Sequence, residues 1–323
     1  MAEILVTENI VGKAMDQLRS QFNVLFEPTA WKNADQLQLL IGDVQAVIVR
    51  NQTEVSAELI AAAANLKVIG RAGAGLDNVD VTAATEAGVV VTYAPCENSL
   101  SVAELTIGLM ISLARQIPAA AADTRQAGWN RSQFTGSELA GKTLGIVGIG
   151  RIGTLVAQRA QAFGMTLVAH DDYVDPTAPH LQKLNVQLTS LEQLLSQADF
   201  VVCHVPLSDE TRDLFNRQRF EQMKPDAMFI NTSRGEVVNE TALVAALQNK
   251  QLAGAALDVR SSEPPEPSPL EQMDNVILTP HIAAFTSEAQ ERVVATVCQD
   301  VAAVLQGQQA LNGFNFSQPV QQG

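Results

Sequence analysis

The sequence predicts an α/β protein of two domains, each built on a parallel sheet with helices on its faces. Three observations support this class. Short apolar runs alternate with amphipathic stretches along the chain, which is the pattern of repeated βαβ units. One apolar run leads directly into Gly148-x-Gly150-x-x-Gly153 and then into apolar residues at helical spacing. The 323 residues suit two domains of roughly 150 residues each.

The first half of the chain contains a βα series followed by a connecting helix. Its predicted strands are residues 4–6, 24–26, 46–49, 68–70 and 89–91, and its first predicted helices are 13–20, 34–40 and 57–64. A glycine-broken loop, residues 71–77, follows the fourth strand, where an open parallel sheet binds ligands. Ser101 and Glu104 form a capping-box pattern, which predicts a long helix that starts there and ends before Pro118.

The second half begins with the glycine motif and continues as a complete doubly wound sheet. Its predicted strands are residues 143–147, 166–169, 200–205, 227–231, 253–257 and 276–278. Asn239 is the predicted cap of a helix over 240–247. Ser287 and Gln290 form a second capping-box pattern, which predicts a last helix that ends near Gly307.

The glycine motif has the context that a dinucleotide site needs. Gly148 permits a tight turn, Gly150 lets the backbone approach a pyrophosphate, and Gly153 lets helix and strand pack closely. The next strand ends at Asp171, where an acid receives the ribose hydroxyls. Because Asp171 and Asp172 would repel a 2′-phosphate, the sequence favours NAD over NADP. A purely structural turn is the alternative interpretation of the motif.

Composition limits the partners of the protein. A formal net charge of −14 argues against nucleic acid and anionic membranes, which require basic surfaces. The three cysteines are widely spaced, so we expect neither a disulfide framework nor a metal site, and a reducing cytoplasm fits. No secretion signal is evident at the N-terminus. The most apolar segment, 102–122, is interrupted by charges and a proline and is expected to be a buried helix.

Three polar residues follow predicted strands of the second domain, where ligands collect. Each alone has a common structural role: Arg234 as a surface ion pair, Glu263 as a solvated acid before prolines, and His281 as a core histidine. Together they suit the oxidation of a 2-hydroxy acid by hydride transfer. Arg234 would bind the carboxylate in a bidentate geometry, His281 would take the hydroxyl proton, and Glu263 would orient the imidazole.

These residues lie within motifs that resemble the D-isomer-specific 2-hydroxyacid dehydrogenase family over nearly the whole chain. The matching segments are residues 70–80, 98–104, 145–153, 231–235, 256–259 and 279–282. The resemblance implies that Arg234, Glu263 and His281 are the catalytic residues. It also implies a Rossmann-type NAD-binding domain over 99–285 and a flavodoxin-like substrate-binding domain over 1–98 and 286–323.

The resemblance further implies which residues bind ligands. The expected cofactor-binding residues are Gly148, Gly150, Arg151, Ile152, Gly153, Asp171, His204, Val205, Thr232, Ser233, Arg234, Asp258, His281 and Ala283. Val205 falls where relatives often have Thr or Ser, so one cofactor hydrogen bond is expected to be missing. For His204 an adenine-lining role and a structural core role remain equal alternatives. The expected substrate-binding residues are Arg50, Arg71, Ala74, Gly75, Asn98 and Arg131.

Within the family, the chain resembles most the catalytic core of the D-3-phosphoglycerate dehydrogenases, which act in serine biosynthesis. Arg50, Arg71 and Arg131 match the arginines that hold the distal phosphate, although each has a surface ion pair as its alternative role. Few residues follow His281, so we expect a short form without a regulatory domain. The expected reaction therefore converts D-3-phosphoglycerate to 3-phosphohydroxypyruvate with NAD.

Several alternatives to this reaction stay open. Short relatives reduce hydroxypyruvate or glyoxylate, or oxidise sulfolactate. A different class, the NADH-sensing corepressors, also resembles the family, but no peptide-docking motif is identifiable here. Formate dehydrogenases have glutamine at the position of Glu263, which counts against them, and phosphite dehydrogenase keeps the same three residues. The family further implies a homodimer or higher homo-oligomer formed through segment 101–137, which would bring Arg131 toward the neighbouring subunit.

Overall fold

A computed structural model describes residues 2–316, which divide into two compact units. The first unit comprises residues 2–98 and 285–316, and the second is Ser99–Ala284. In chain order the strands are β1 (Ile4–Val6), β2 (Val24–Phe26), β3 (Ala46–Val49), β4 (Val68–Arg71), β5 (Val90–Tyr93), β6 (Thr143–Val147), β7 (Thr166–His170), β8 (Gln187–Leu188), β9 (Phe200–Cys203), β10 (Met228–Asn231), β11 (Gly254–Leu257) and β12 (Val276–Leu278).

The helices surround these strands on both faces of each sheet. In chain order they are α1 (Lys13–Gln21), α2 (Ala34–Ile41), α3 (Ala57–Ala62), α4 (Val81–Glu86), α5 (Ser99–Ala114), α6 (Ile117–Arg125), α7 (Arg151–Ala162), α8 (Pro179–Leu184), α9 (Leu191–Gln197), α10 (Arg217–Glu221), α11 (Glu240–Gln248) and α12 (Ser287–Leu305). Short 3₁₀ turns occur at Arg131–Phe134, Gly235–Val237 and Pro269–Gln272, among other places.

The first unit is a five-stranded parallel sheet in the order β2-β1-β3-β4-β5. This is the flavodoxin-like strand order, so the expected class is confirmed. Separate apolar clusters fill the two faces of the sheet, and α12 packs with α1 in one of them. A Cβ at Gly70 of β4 would lie 2.7 Å from Val301 and 2.8 Å from Val297, so glycine is needed where α12 crosses the sheet.

The second unit is a seven-stranded parallel sheet in the order β8-β7-β6-β9-β10-β11-β12. The chain starts at the central strand β6, runs to one edge, and returns through β9 to the other edge. This is the doubly wound Rossmann order, which confirms the predicted class. Its topological switch point lies between β6 and β9, and the ligand crevice of such a sheet is at the carboxyl ends of these strands.

Several helix ends differ from the predicted ones. Helix α5 begins at Ser99, and Ser101 lies inside it at 5% exposure, so burial of the first turn overrides the local capping pattern. The long helix ends before Pro118 as predicted, but Pro118 then lies in the first turn of a second helix, α6, after a break at which Gln116 has φ of +51°. The N-cap of α12 is Thr286, whose hydroxyl accepts from the N–H of Ala289, rather than the neighbouring Ser287.

The apolar segment 102–122 is accordingly divided between two helices. Most residues of α5 are buried in the second unit. Within residues 2–316, no single helix has both the length and the apolar composition to span a membrane. Helices α5 and α6 meet that test only as a pair, with a bend of 64° between them.

Candidate active site

The glycine turn after β6 is built as a dinucleotide site requires. Gly148 has φ of +91°, and a Cβ there would lie 2.8 Å from the carbonyl carbon of His204. A Cβ at Gly153 would lie 2.2 Å from the carbonyl oxygen of Gly148, so this glycine lets α7 approach the turn. A Cβ at Gly150 would have no protein atom within 4 Å among the described residues. Gly150 therefore leaves room for a ligand rather than for the protein itself.

Asp171 lies against this turn, directly after β7. Its Oδ2 accepts a 2.9 Å hydrogen bond from the N–H of Ile149, and its Oδ1 accepts a 3.0 Å bond from the N–H of Tyr173. A carboxylate oxygen has two lone pairs, so each oxygen retains capacity for a ribose hydroxyl. Arg151 and Ile152 form the first turn of α7, where Arg151 is exposed and Ile152 is half-buried.

The segment after β9 closes the other side of the switch point with His204 and Val205. Both ring nitrogens of His204 are shielded from solvent and have no hydrogen-bond partner among residues 2–316. Burial lowers the pKa of His204 to about 3, so the imidazole is neutral near pH 7. An unsatisfied buried donor and acceptor at this position fit a partner supplied by a bound molecule. The residues around the turn therefore fit a dinucleotide.

Glu263 and His281 form a close pair at the carboxyl edge of the same sheet. Oε2 of Glu263 lies 2.7 Å from Nδ1 of His281, so Nε2 is the ring nitrogen that remains for a substrate proton. Burial raises the pKa of Glu263, but the hydrogen bond and charge of His281 and the nearby charge of Arg234 outweigh it and lower that pKa below its ordinary value. The carboxylate is therefore ionised near neutral pH.

The loop that carries His281 is held by Asp258. The carboxylate of Asp258 is fully buried and accepts from the N–H groups of Ile282, at 2.9 Å, and Ala283, at 2.8 Å. The N–H of His281 donates to the carbonyl oxygen of Asp258 at 2.7 Å. His281 has φ of +54°, a conformation that few residues other than glycine adopt and that the surrounding bonds maintain.

Arg234 follows β10, next to the loop of Glu263. The side-chain amide of Asn231 donates to the carbonyl oxygen of Arg234 at 2.8 Å, and its carbonyl oxygen accepts from the N–H and hydroxyl of Ser233. Nη1 of Arg234 donates to the carbonyl oxygen of Ser233 at 2.8 Å. Thr232 is buried against Thr106, with 2.9 Å between the two hydroxyls. The second unit thus brings Arg234, Glu263 and His281 to one edge, as the sequence predicts.

In the first unit, Arg50 and Arg71 stand at the carboxyl ends of the neighbouring strands β3 and β4. Burial lowers the pKa of Arg50, and the carboxylate of Glu8 opposes this effect. Cζ of Arg50 lies 5.6 Å from the ring centre of Phe285, within cation–π range. The guanidinium of Arg71 lies over Gly73, where a Cβ would be 1.7 Å from Nη1. Both arginines are half-buried.

Glu8 holds the loop of Arg50, a role that the sequence reasoning missed. Its buried carboxylate accepts from the N–H groups of Arg50, at 2.8 Å, and Thr53, at 3.0 Å. From the opposite side, the amide of Asn78 donates to the carbonyl oxygens of the same two residues, at 2.9 and 2.6 Å. The signal was the position of Glu8 after β1, because β1 and β3 flank the switch point of a flavodoxin-like sheet.

The remaining predicted substrate residues are distributed over both units. Ala74 and Gly75 lie in the loop between β4 and α4, and Asn98 is the last residue of this part of the first unit. Arg131 instead belongs to the second unit, where it is exposed on a short 3₁₀ turn. The structure therefore places Arg131 in a different unit from Arg50 and Arg71.

Comparison with known proteins identifies relatives over almost the entire chain. Residues 107–283 match the family model "D-isomer specific 2-hydroxyacid dehydrogenase, NAD binding domain". The chain is 42% identical over 317 residues to D-3-phosphoglycerate dehydrogenase of Methanocaldococcus jannaschii, covering 98% of this chain but 60% of that protein. It thus spans less than two thirds of the length of this relative.

Two solved structures are similar over their full lengths. The TT0316 protein from Thermus thermophilus has a TM-score of 0.90 and 37% identity, with 96% of this chain and 99% of that chain covered. A glyoxylate reductase from Paecilomyes thermophila has a TM-score of 0.86 and 32% identity, with 97% and 98% covered. The similarity therefore extends to more than one substrate class.

Proposed function

Since the chain belongs to the family of D-isomer specific 2-hydroxyacid dehydrogenases, we propose that it transfers hydride between a D-2-hydroxy acid and NAD. The observation that carries this proposal is the 2.7 Å contact between Glu263 and His281 beside Arg234. A histidine held by an ionised carboxylate is suited to general acid–base work, and an adjacent guanidinium is suited to a carboxylate substrate.

The proposed roles follow from the chemistry of each side chain. Arg234 binds and orients the substrate carboxylate. Nε2 of His281 takes the proton of the C2 hydroxyl in oxidation and returns it in reduction, while Glu263 stabilises the imidazolium and keeps Nδ1 protonated. NAD, held by the turn Gly148–Gly153 and by Asp171, supplies the hydride acceptor. His204 and Val205 border the same pocket.

We propose D-3-phosphoglycerate as the substrate, with 3-phosphohydroxypyruvate as product. Arg50 and Arg71 would bind the distal phosphate, because two cations at the ends of adjacent strands suit a dianion in a protein of net charge −14. The backbone N–H groups of Ala74 and Gly75 are also proposed to bind the substrate carboxylate. The 42% identity to a phosphoglycerate dehydrogenase supports this substrate, and the full-length similarity to a glyoxylate reductase favours the main alternative.

A substrate panel separates these possibilities. Purified protein is incubated with NAD and D-3-phosphoglycerate, D-glycerate or sulfolactate, and with NADH and hydroxypyruvate or glyoxylate, while the absorbance of the reduced nicotinamide is followed. The proposal requires the highest kcat/KM for D-3-phosphoglycerate. A higher value for hydroxypyruvate or glyoxylate would reassign the substrate. Tight NADH binding without turnover of any acid would instead indicate an NADH-sensing binding protein.

We further propose a homodimer formed through segment 101–137. Trp129 and Ile117 are 79% and 47% exposed, and an open cavity of about 650 Å³ lies beside α6. Exposed apolar surface of this kind marks association sites. Light scattering should give twice the chain mass for the wild type and the chain mass for Ile117→Asp. A monomeric wild type would contradict this assembly.

We propose a reducing cytoplasm as the location of the protein, because Cys96, Cys203 and Cys298 are free cysteines.

A further inference from the structure

A buried arginine, Arg260, precedes Glu263 in the same loop and packs against the loop of Arg234. It follows β11 by three positions, and its side chain is 8% exposed. The proposed reaction gives it no role, because each of its three guanidinium nitrogens donates to a protein carboxylate. A buried arginine is costly unless its charge is paired and its N–H groups are satisfied, so the surrounding contacts must be specific.

The guanidinium of Arg260 joins two separate elements. Its Nε and Nη2 donate to the two carboxylate oxygens of Glu240 at 3.1 and 2.9 Å, in a bidentate arrangement. Its Nη1 donates to Glu271 at 2.8 Å. Glu240 lies in the first turn of α11, and Glu271 lies on the 3₁₀ turn Pro269–Gln272. Residue 260 stands at the start of the proline-rich loop, residues 263–269, so the start of this loop is fixed to both elements.

The backbone of Arg260 contacts the loops of Glu263 and Arg234. Its N–H donates to Oε1 of Glu263 at 3.3 Å, while the other carboxylate oxygen of Glu263 contacts His281. On the opposite side, a Cβ at Gly235 would lie 1.9 Å from the carbonyl oxygen of Arg260, so the residue after Arg234 packs directly on this peptide. Movement of residue 260 would displace both loops.

We infer that Arg260 is a positioning residue, which holds Glu263 against His281 and supports the loop of Arg234 through its ionic network with Glu240 and Glu271. This inference rests on the proposed dehydrogenase function. It assigns no contact between Arg260 and the substrate. The guanidinium of Arg260 fixes the residue to Glu240 and Glu271. The peptide groups of Arg260 make the contacts with the loops of Glu263 and Arg234.

The test compares Arg260→Met with Arg260→Lys and the control Arg219→Met. Arg219 forms an ion pair with Glu192 in the same unit, and neither residue has a proposed role in the reaction. Its variant therefore reports the effect of losing an ordinary ion pair. For Arg260→Met we expect kcat to fall about ten- to a hundred-fold, the range for slightly misplaced catalytic groups. The Kd for NADH should stay at the wild-type value. Arg260→Lys keeps the charge but not the bidentate pairing and should be intermediate.

A pH profile distinguishes positioning from mere stability. Glu263 must be ionised for activity, and the N–H of Arg260 and the charge of His281 lower its pKa. If the loop is released, the pKa of Glu263 rises toward its ordinary value, and the acid limb of kcat/KM moves to higher pH. If Arg260 only stabilised the fold, its replacement would lower the fraction of active protein, and the acid limb of the kcat/KM profile would stay at the wild-type pH. An unchanged kcat and pH profile in folded Arg260→Met would overturn the inference.

Hydrogen exchange separates failure of this inference from failure of the proposed function. If the wild type oxidises no 2-hydroxy acid and reduces no 2-oxo acid, the proposed function fails, and the pH profile cannot be measured. The amides of residues 261–263 should still exchange faster in Arg260→Met than in Arg219→Met. Equal exchange in the two variants would overturn the positioning role by itself. If Arg260→Met does not fold, Glu271→Gln removes one of its two anchors and is measured in its place.

Discussion

The proposed chemistry depends on a few side chains that are held by contacts within the protein. Glu263 is ionised and in contact with His281, and His281 is held in a left-handed conformation by the loop of Asp258. The proposed acid–base residue is therefore oriented by the protein itself. Preorganised groups of this kind contribute most when charge develops in the transition state.

The first prediction concerns Arg234. Arg234→Ala should raise the barrier by about 2–5 kcal/mol, as expected when one partner of a buried charge pair is removed. The measurement is kcat/KM for the preferred acid. Arg217→Ala, at an exposed arginine that pairs only with Glu221 among the described residues, is the control and should retain wild-type values. Unchanged kcat/KM in Arg234→Ala would remove its role at the carboxylate.

The second prediction concerns cofactor choice. Asp171→Asn keeps an acceptor for the N–H of Ile149 but removes the negative charge that repels a 2′-phosphate. We expect the ratio of the Kd for NADPH to that for NADH to fall about ten-fold, which corresponds to about 1.4 kcal/mol. Fluorescence titration with both cofactors measures this ratio. A ratio equal to that of the wild type would mean that Asp171 does not discriminate between them.

At the level of single residues, sequence reasoning predicted the side chains that the fold brings together in the candidate site, but not those that hold them. Arg234, Glu263 and His281 stand at strand ends within recognisable motifs, so their position was predictable. Arg260 was not, because its role depends on acids 20 residues before it and 11 residues after it in the chain. Glu8 was missed for the same reason, since the loop that it binds lies more than 40 residues away.

At the level of elements, the glycine turn gives a matched pair of variants. Gly150→Ala places a methyl group in open space, so we expect normal stability with lost NADH binding, because the methyl group occupies the approach of the pyrophosphate. Gly153→Ala places it 2.2 Å from a backbone oxygen and should cost about 1–3 kcal/mol of unfolding free energy. Urea unfolding and NADH titration measure both. Normal NADH binding by Gly150→Ala would exclude the proposed cofactor position.

The ion pair of Glu240 with Arg260 should make the unfolding free energy of the second unit depend on pH in the acid range. Burial raises the pKa of Glu240, but Arg260 and the N–H of Ser261 outweigh it and lower that pKa below 4.5. A lowered pKa stabilises the fold at neutral pH, and this contribution is lost as pH falls from about 4.5 through the folded value. Urea unfolding should therefore show the largest loss for Glu240→Gln at neutral pH and a smaller loss in acid. A loss that is independent of pH would contradict this ion pairing.

The strands were more predictable than the helix ends. Buried parallel strands consist of β-branched and other apolar residues, so most predicted strands agree with the structure within one or two residues. Helix ends depend on competing caps: Thr286 and Ser287 are adjacent, and only the hydrogen bond to Ala289 distinguishes them. At Pro118 the sequence indicated a break correctly but not that a new helix begins there.

For the molecule as a whole, the proposed reaction is direct hydride transfer from C2 of a D-2-hydroxy acid to NAD. The strand orders of both units and the family match support this class, and the arginines of the first unit support a phosphorylated substrate. These arginines belong to a different unit from the proposed acid–base residues. The proposed phosphate contacts of Arg50 and Arg71 and the proposed acid–base pair thus belong to different units.

The most direct test follows the hydrogen itself. The protein is given NAD and D-3-phosphoglycerate deuterated at C2, and the NADH formed is analysed by mass spectrometry. We expect that each NADH carries one deuterium, that the L-enantiomer yields none, and that His281→Ala abolishes the transfer. NADH formed without deuterium, or formed equally from the L-enantiomer, would contradict it.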